Sequence, residues 1–231
     1  MLSRPQNYSE SVRATVDRIS EACRTAGRSV DSVTLLAVSK GQSAAAINAA
    51  ASAGAENFGE NFLQESLPKM LELTGRELTW HFIGRLQANK TKPVAENFQW
   101  VHGVDRLKIA ERLSAQRSFH SPPLNLCLQL NVGGELSKGG VPAAEMPALA
   151  KAVRALPGLR LRGLMCMPPE ESEFERQRQW FRETRQVFDY LNEQGLGLDT
   201  LSMGTSADFA AAIAEGATIV RIGTAIFGPR S

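Results

Sequence analysis

Val33-Thr34-Leu35-Leu36-Ala37-Val38-Ser39-Lys40 opens an alternation of apolar runs and helical segments that continues to the end of the chain. Five of its first six residues are apolar, and the run closes on a lysine. An apolar run this short, with β-branched residues at its ends, suits a strand buried on both faces, as in a parallel sheet. A lysine at the carboxyl end of such a strand stands at the mouth of an apolar cavity. Desolvation there disfavours the ammonium and leaves some neutral amine near neutral pH. A neutral amine beside a carbonyl ligand forms a Schiff base. The competing reading is a lysine that closes the strand and snorkels to water. The rest of the chain decides between them.

Upstream, Val12, Val16, Ile19 and Cys23 recur at helical spacing from Tyr8 to Ala26, and Gly27 supplies the stop. Downstream, helices are expected over Ser43–Ala53, Phe62–Leu73, 89–97, Arg106–Phe119, Pro142–Leu156, Glu170–Glu193 and Ala207–Glu215. Strands are expected over Asn57–Asn61, Leu78–Ile83, Gln99–Val104, Leu124–Val132, Leu159–Met167, Thr200–Met203 and Ile219–Ile222. With Val33–Lys40 that makes eight strands, each followed by a helix or by the terminus. This is the arithmetic of a single α/β domain over residues 1–231, a (β/α)8 TIM barrel with an extra N-terminal helix. An open doubly wound sheet would need a G-x-G-x-x-G turn after the first strand, and Lys40-Gly41-Gln42-Ser43 is not one.

At 231 residues, 43% hydrophobic and 22% charged, the chain has the composition of a soluble globular protein. A net charge of +2 gives no electrostatic case for nucleic acid or an anionic membrane. Cys23, Cys127 and Cys166 are too few and too scattered for a disulfide framework or a zinc site, which suits a reducing compartment. Met1–Glu10 lacks the apolar core of a signal peptide, and no later run reaches membrane-spanning length. A cytoplasmic protein is expected.

In a barrel the strand ends share one face, and the loops after strands seven and eight commonly hold phosphate. After the seventh strand the chain reads Ser202-Met203-Gly204-Thr205-Ser206-Ala207-Asp208, three hydroxyls and a glycine ahead of a helix. An ordinary cap, with Ser206 capping and Asp208 in the first turn, is the alternative. After the eighth strand, Gly223-Thr224 offers another close backbone approach with a hydroxyl, or a plain turn. Arg221 lies inside the apolar run Ile219-Val220-Arg221-Ile222. A buried arginine needs partners, either a core carboxylate or a ligand such as a pyridine nitrogen. A strand-one lysine, a strand-eight arginine and two hydroxyl-glycine loops together describe a site for pyridoxal 5'-phosphate (PLP).

The sequence resembles the pyridoxal phosphate homeostasis protein family, related to the barrel domain of alanine racemase. The resemblance is carried by Leu35–Lys40, Phe58–Glu65, Trp80–Gly84 with Leu86-Gln87 and Asn89-Lys90, Arg162–Met165, Leu201–Gly204 with Ser206, and Val220–Gly228. It implies that Lys40 holds PLP as a Schiff base, with phosphate contacts from Ser202 or Ser206 and from Gly223 and Thr224. It also implies that Arg221 faces the pyridine nitrogen and that Asn61 and Met165 line the ring. His81 is a further contact candidate, although a histidine in an aromatic-rich strand is more often a core residue. Thr205 departs from the family's usual methionine, Gly41-Gln42-Ser43 lacks a proline common nearby, and the tail stops at Arg230-Ser231.

A racemase needs a second acid or base across the cofactor from the lysine; in the enzyme relatives this is a tyrosine from a partner subunit's second domain. Here Tyr8 and Tyr190 both fall in helices and not on βα loops. The favoured expectation is a non-catalytic PLP carrier that maintains vitamin B6 homeostasis and delivers PLP to PLP-dependent apoenzymes. Without the second domain, a monomer is expected. A racemase or lyase using the same site is the alternative, and a cofactor-free Schiff-base aldolase acting on a sugar phosphate is a third reading. Phe174, Phe181 and Phe188 are expected to form a core-facing stripe; Lys138, in the glycine-rich Gly133–Gly140 loop, is read as an exposed loop lysine, with a second cofactor contact as the alternative.

Overall fold

In the computed structural model, residues 7–135 and 138–228 are described. The first six residues, Leu136 and Ser137 of the glycine-rich loop, and the tail at Arg230-Ser231 lie outside them. Strands β1 (Thr34–Val38), β2 (Asn57–Glu60), β3 (Thr79–Phe82), β4 (Trp100–Val104), β5 (Leu124–Leu130), β6 (Leu159–Cys166), β7 (Thr200–Thr205) and β8 (Ile219–Ile222) pair in parallel, each with the next. β1 also pairs with β8, with Leu36 opposite Arg221, so the sheet closes into the expected eight-stranded barrel. Closure removes both sheet edges, and short strands crowded by apolar side chains are what such a barrel needs.

Helices α1 (Tyr8–Thr25), α2 (Ala44–Ser52), α3 (Leu63–Glu72), α4 (Thr91–Asn97), α5 (Leu107–Gln116), α6 (Met146–Arg154), α7 (Phe174–Glu193), α8 (Phe209–Ala214) and α9 (Thr224–Phe227) surround it. α1 begins where Asn7 caps it by accepting from the Glu10 amide at 3.3 Å. It packs on α2, α8 and α9, burying Val12, Thr15, Ile19 and Cys23. The main apolar core lies between sheet and helices, from Ile47 and Phe58 round to Phe181 and Ile226.

Differences from the sequence reading concern boundaries and one helix face. β1 ends at Val38, so Lys40 lies in the turn beyond the strand, where Gly41 takes φ 74° and the Gln42 amide reaches back to the Ser39 carbonyl at 3.0 Å. β7 runs on to Thr205. α7 starts at Phe174 rather than Glu170, and its buried face is Gln177, Phe181, Thr184 and Leu191. Only Phe181 of the expected stripe is fully buried. Phe174, 47% exposed in the first turn, lines a groove with Arg18 and Ala22 of α1 and Phe209 of α8, and is covered by the Arg178 guanidinium at 6.0 Å.

Candidate cofactor site at the carboxyl end of the barrel

Lys40, Asn61, Arg221, Gly223, Thr224 and Ser206 converge on one cavity of about 600 Å3 at the carboxyl ends of the strands. Val38, Ile83 and Met167 give it apolar walls, and Thr205, Arg85 and Glu170 also line it. Elements far apart in sequence thus bring an amine, a guanidinium and three hydroxyls around a single space. Met165 and Ser202, also expected there, are placed otherwise. Both are buried and neither lines the cavity, whereas Met167, two residues on, does.

Lys40 is positioned by a buried ionic cluster directly behind it. The Ser39 hydroxyl donates to Glu60 Oε1 at 2.6 Å. Lys69 Nζ, from α3, donates to both Glu60 oxygens at 2.8 and 3.0 Å and to the Ser39 carbonyl at 3.1 Å. Burial pushes the Glu60 carboxyl above the usual carboxylate range, opposed by its hydrogen bonds to Lys69 and Ser39. The bidentate pair ties the ends of β1 and β2 to α3. Ladder bonds then run past both strand ends, from the Ser39 amide to the Gly59 carbonyl and from the Ile83 amide to the Glu60 carbonyl. The Gly41 amide donates to Glu65 Oε2 at 3.2 Å, holding the turn after Lys40.

Arg221 enters the barrel from β8 and is 6% exposed. Its Nη1 donates to the Ser202 carbonyl at 2.6 Å and the Ser202 hydroxyl at 3.0 Å, and Nη2 donates to the Cys166 carbonyl at 2.8 Å. Among the described residues no carboxylate pairs with it, so the core ion pair weighed as an alternative is replaced by neutral acceptors. Burial pulls its pKa below the ordinary guanidinium value, yet an arginine stays charged. Its remaining N–H groups are free to address the cavity it lines.

Ser202 instead heads a line of buried hydrogen bonds across the barrel. The line passes from Ser202 to His102 Nδ1 at 2.7 Å, from His102 Nε2 to His81 Nδ1 at 2.9 Å, and from His81 Nε2 to Asn57 Oδ1 at 3.1 Å. Asn57 Oδ1 can only accept, so His81 Nε2 carries a proton and its Nδ1 accepts from His102. His102 Nδ1 then accepts from the Ser202 hydroxyl, which accepts in turn from Arg221. Every member is satisfied with both rings neutral. Burial lowers the pKa of His81 to about 3 and holds that of His102 well below the usual value. His81 is therefore a core residue of the barrel interior.

In the loop after β7, Asp208 takes the position that caps α8, and its Oδ1 accepts from the Thr205 amide at 2.6 Å and hydroxyl at 2.8 Å. Ser206 is thus relieved of capping and lines the cavity. Gly204, at φ 92°, makes this turn possible, since a Cβ there would stand 2.6 Å from the Ala212 Cβ. Across the opening, Gly223 lets the chain pass Val38, and Thr224 begins α9 with amides that have no intrahelical partner. Lys138 is not a loose loop lysine: its Nζ donates to the Pro168 carbonyl at 2.8 Å and pairs with Glu135 at 2.9 Å. Cys127 and Cys166, pushed up by burial to about 12 and about 11, are not available as nucleophiles.

The sequence alone gave no hint of the Glu60–Lys69 pair or of His102 as the partner of Ser202. A glutamate in a strand otherwise destined for burial was the available signal for the first. For the second, it was a histidine two residues after Trp100 in an apolar run.

The family model for the alanine racemase N-terminal domain matches residues 14–231. The pyridoxal phosphate homeostasis protein of Pseudomonas aeruginosa is 57% identical over 221 residues, covering 96% of this chain and 95% of that protein. That of Escherichia coli K12 is 51% identical, covering 93% of each. PipY of Synechococcus elongatus, solved with PLP bound, superposes with a TM-score of 0.79 at 38% identity, covering 91% of this chain and all of that one. An alanine racemase from Clostridium difficile shares the fold at 14% identity and a TM-score of 0.77, with 57% of its length covered. The chain belongs to the alanine racemase N-terminal domain family and, within it, to the pyridoxal phosphate homeostasis proteins.

Proposed function

We propose that this protein holds PLP on Lys40 at the mouth of the barrel, maintains the intracellular supply of the cofactor and hands it to PLP-dependent apoenzymes without turning over a substrate. The observation that carries the reading is the convergence of Lys40, Arg221, Ser206 and Thr224 on one cavity of about 600 Å3. Two features of the chain fit the cofactor. Asn61 Oδ1 is buried without a hydrogen-bond partner, so it is ready to accept from a ligand. Gly223 lets the backbone pass close to Val38 and lines the cavity beside Thr224.

When bound, PLP supplies an aldehyde that condenses with a primary amine. Ser206, Thr224 and the first amides of α9 would hold its phosphate. The charged Arg221 would donate to the ring nitrogen and so oppose protonation there. That would weaken the electron-withdrawing power on which racemases and lyases of this cofactor depend. Val38, Ile83 and Met167 would give the ring apolar neighbours.

A carrier is further supported by the position of the tyrosines, the second acid-base group of the racemase reading. Tyr8 packs on Phe227 with centroids 6.1 Å apart, Tyr190 is 49% exposed on α7, and neither lines the cavity. Buried free thiols at Cys23, Cys127 and Cys166 support a reducing, cytoplasmic setting. No helix among the described residues is long and apolar enough to cross a membrane.

Added PLP should give the protein a visible absorbance band that borohydride bleaches. A protein that stays colourless contradicts the reading. Enzyme-dependent exchange of the α-hydrogen of any amino acid, lost in Lys40→Ala, would establish turnover in place of storage.

A further inference from the structure

A second cavity of about 610 Å3 adjoins the first and shares Asn61, Gly84 and Arg85 with it. Its other polar lining is Gln64, Gln87, Lys90 and Arg106, and it contains no aspartate or glutamate. Arg106 is neutralised in part by Asp105 at 2.8 Å and donates to the Leu86 carbonyl at 3.2 Å. Arg85 and Lys90 make no side-chain hydrogen bond or ion pair among the described residues, whereas Arg178 and Arg182 both pair with Glu215. Two unpaired cations and a half-paired third around one concave space focus a positive potential into it. Asn61 Oδ1, at the boundary of the two cavities, is buried and has no donor. Its own group therefore requires an N–H or O–H from whatever fills the space.

We propose that this second cavity is a binding site for a small anion, a carboxylate or a phosphate carrying a donor group, held by Arg85 and Lys90 beside the PLP position. Its location next to the cofactor rests on the reading above; its chemistry rests on Lys90, Arg85 and Asn61 alone. An anion here lies against Asn61 and Arg85, which also face the cofactor cavity, so its occupancy bears on how tightly PLP is held.

The test is calorimetric titration of the full-length protein at low ionic strength with inorganic phosphate and, separately, with malate, a carboxylate that carries a hydroxyl donor. PLP loading is recorded first by absorbance, so failure of the cofactor reading is seen independently. The loaded protein is expected to bind at least one anion saturably. Binding should weaken at least tenfold in Lys90→Gln and further in Arg85→Gln/Lys90→Gln. It should be retained in Lys90→Arg and unchanged in Lys92→Gln/Lys108→Gln, which removes the same charge outside the cavity. Phosphate alone or malate alone identifies the anion class. If PLP does not load, the same dependence on Lys90 in the free protein still supports the second site. No saturable binding of either anion, or an equal loss in Lys92→Gln/Lys108→Gln, overturns it.

Discussion

Ser202 offers Arg221 two acceptors, its carbonyl oxygen at 2.6 Å and its hydroxyl at 3.0 Å, and donates a hydrogen bond from that hydroxyl to His102 Nδ1 at 2.7 Å. One small side chain thus fixes both the arginine that faces the cofactor cavity and the tautomer of a buried histidine. Ser202→Ala removes an acceptor from a buried cation and strands His102 Nδ1. Unpaired buried groups of this kind cost about 1–3 kcal/mol. Thermal unfolding should register that loss, and PLP affinity should fall severalfold through the loosened guanidinium.

Acid should destabilise the fold in a window set by the two histidines. Each has a folded pKa below its unfolded value, so the unfolded chain binds more protons as pH falls through 6.5, and stability is lost from there down to about pH 3 for His81. Above pH 7 this contribution is complete and flat. Urea midpoints measured from pH 7.5 to 4.5 should fall with pH. The slope should be smaller in His81→Asn/His102→Asn, once allowance is made for its lower starting stability.

The Glu60–Lys69 pair, with side chains 0% and 10% exposed, should behave as a buried pair. Glu60→Gln leaves the Lys69 ammonium without its counter-charge, at a cost of about 3–5 kcal/mol. Lys69→Met added to Glu60→Gln should recover most of it. Chemical denaturation of the single and double variants measures the difference, and no recovery would show that the loss came from packing.

Gly84 touches both cavities, and a Cβ there would lie 2.6 Å from the Asn61 carbonyl oxygen and 3.0 Å from the Asn61 Cα. Gly84→Ala must push Asn61 aside, a distortion costing about 1–3 kcal/mol. PLP affinity, followed by absorbance titration, should drop by about tenfold, the equivalent of 1.4 kcal/mol. A neighbouring control such as Gly75→Ser, far from both cavities, should leave it unchanged.

Much of the fold was legible because barrel strands buried on both faces read as apolar runs; Ile219–Ile222 was located to the residue. An arginine inside that run had to be buried and had to have partners, and Arg221 is and does. What could not be read was decided by contacts distant in sequence. Whether Ser206 or Asp208 caps α8 depends on how far β7 extends, and β7 outran its apolar residues by pairing Thr205 with Arg221. The burial of Lys69 depends on Glu60 lying opposite it, which no helical periodicity reveals. The aromatic spacing on α7 was regular, but Phe174 in its first turn meets an open groove with α1 and α8 rather than the closed core.

In the carrier reading one amine, that of Lys40, takes the cofactor. Borohydride reduction of the PLP-treated protein followed by peptide mass spectrometry tests it most directly. The account predicts a near-stoichiometric phosphopyridoxyl label on Lys40, absent from Lys40→Ala and not transferred to another lysine. A label concentrated on Lys138, Lys90 or any other lysine, with Lys40 unmodified, would contradict it.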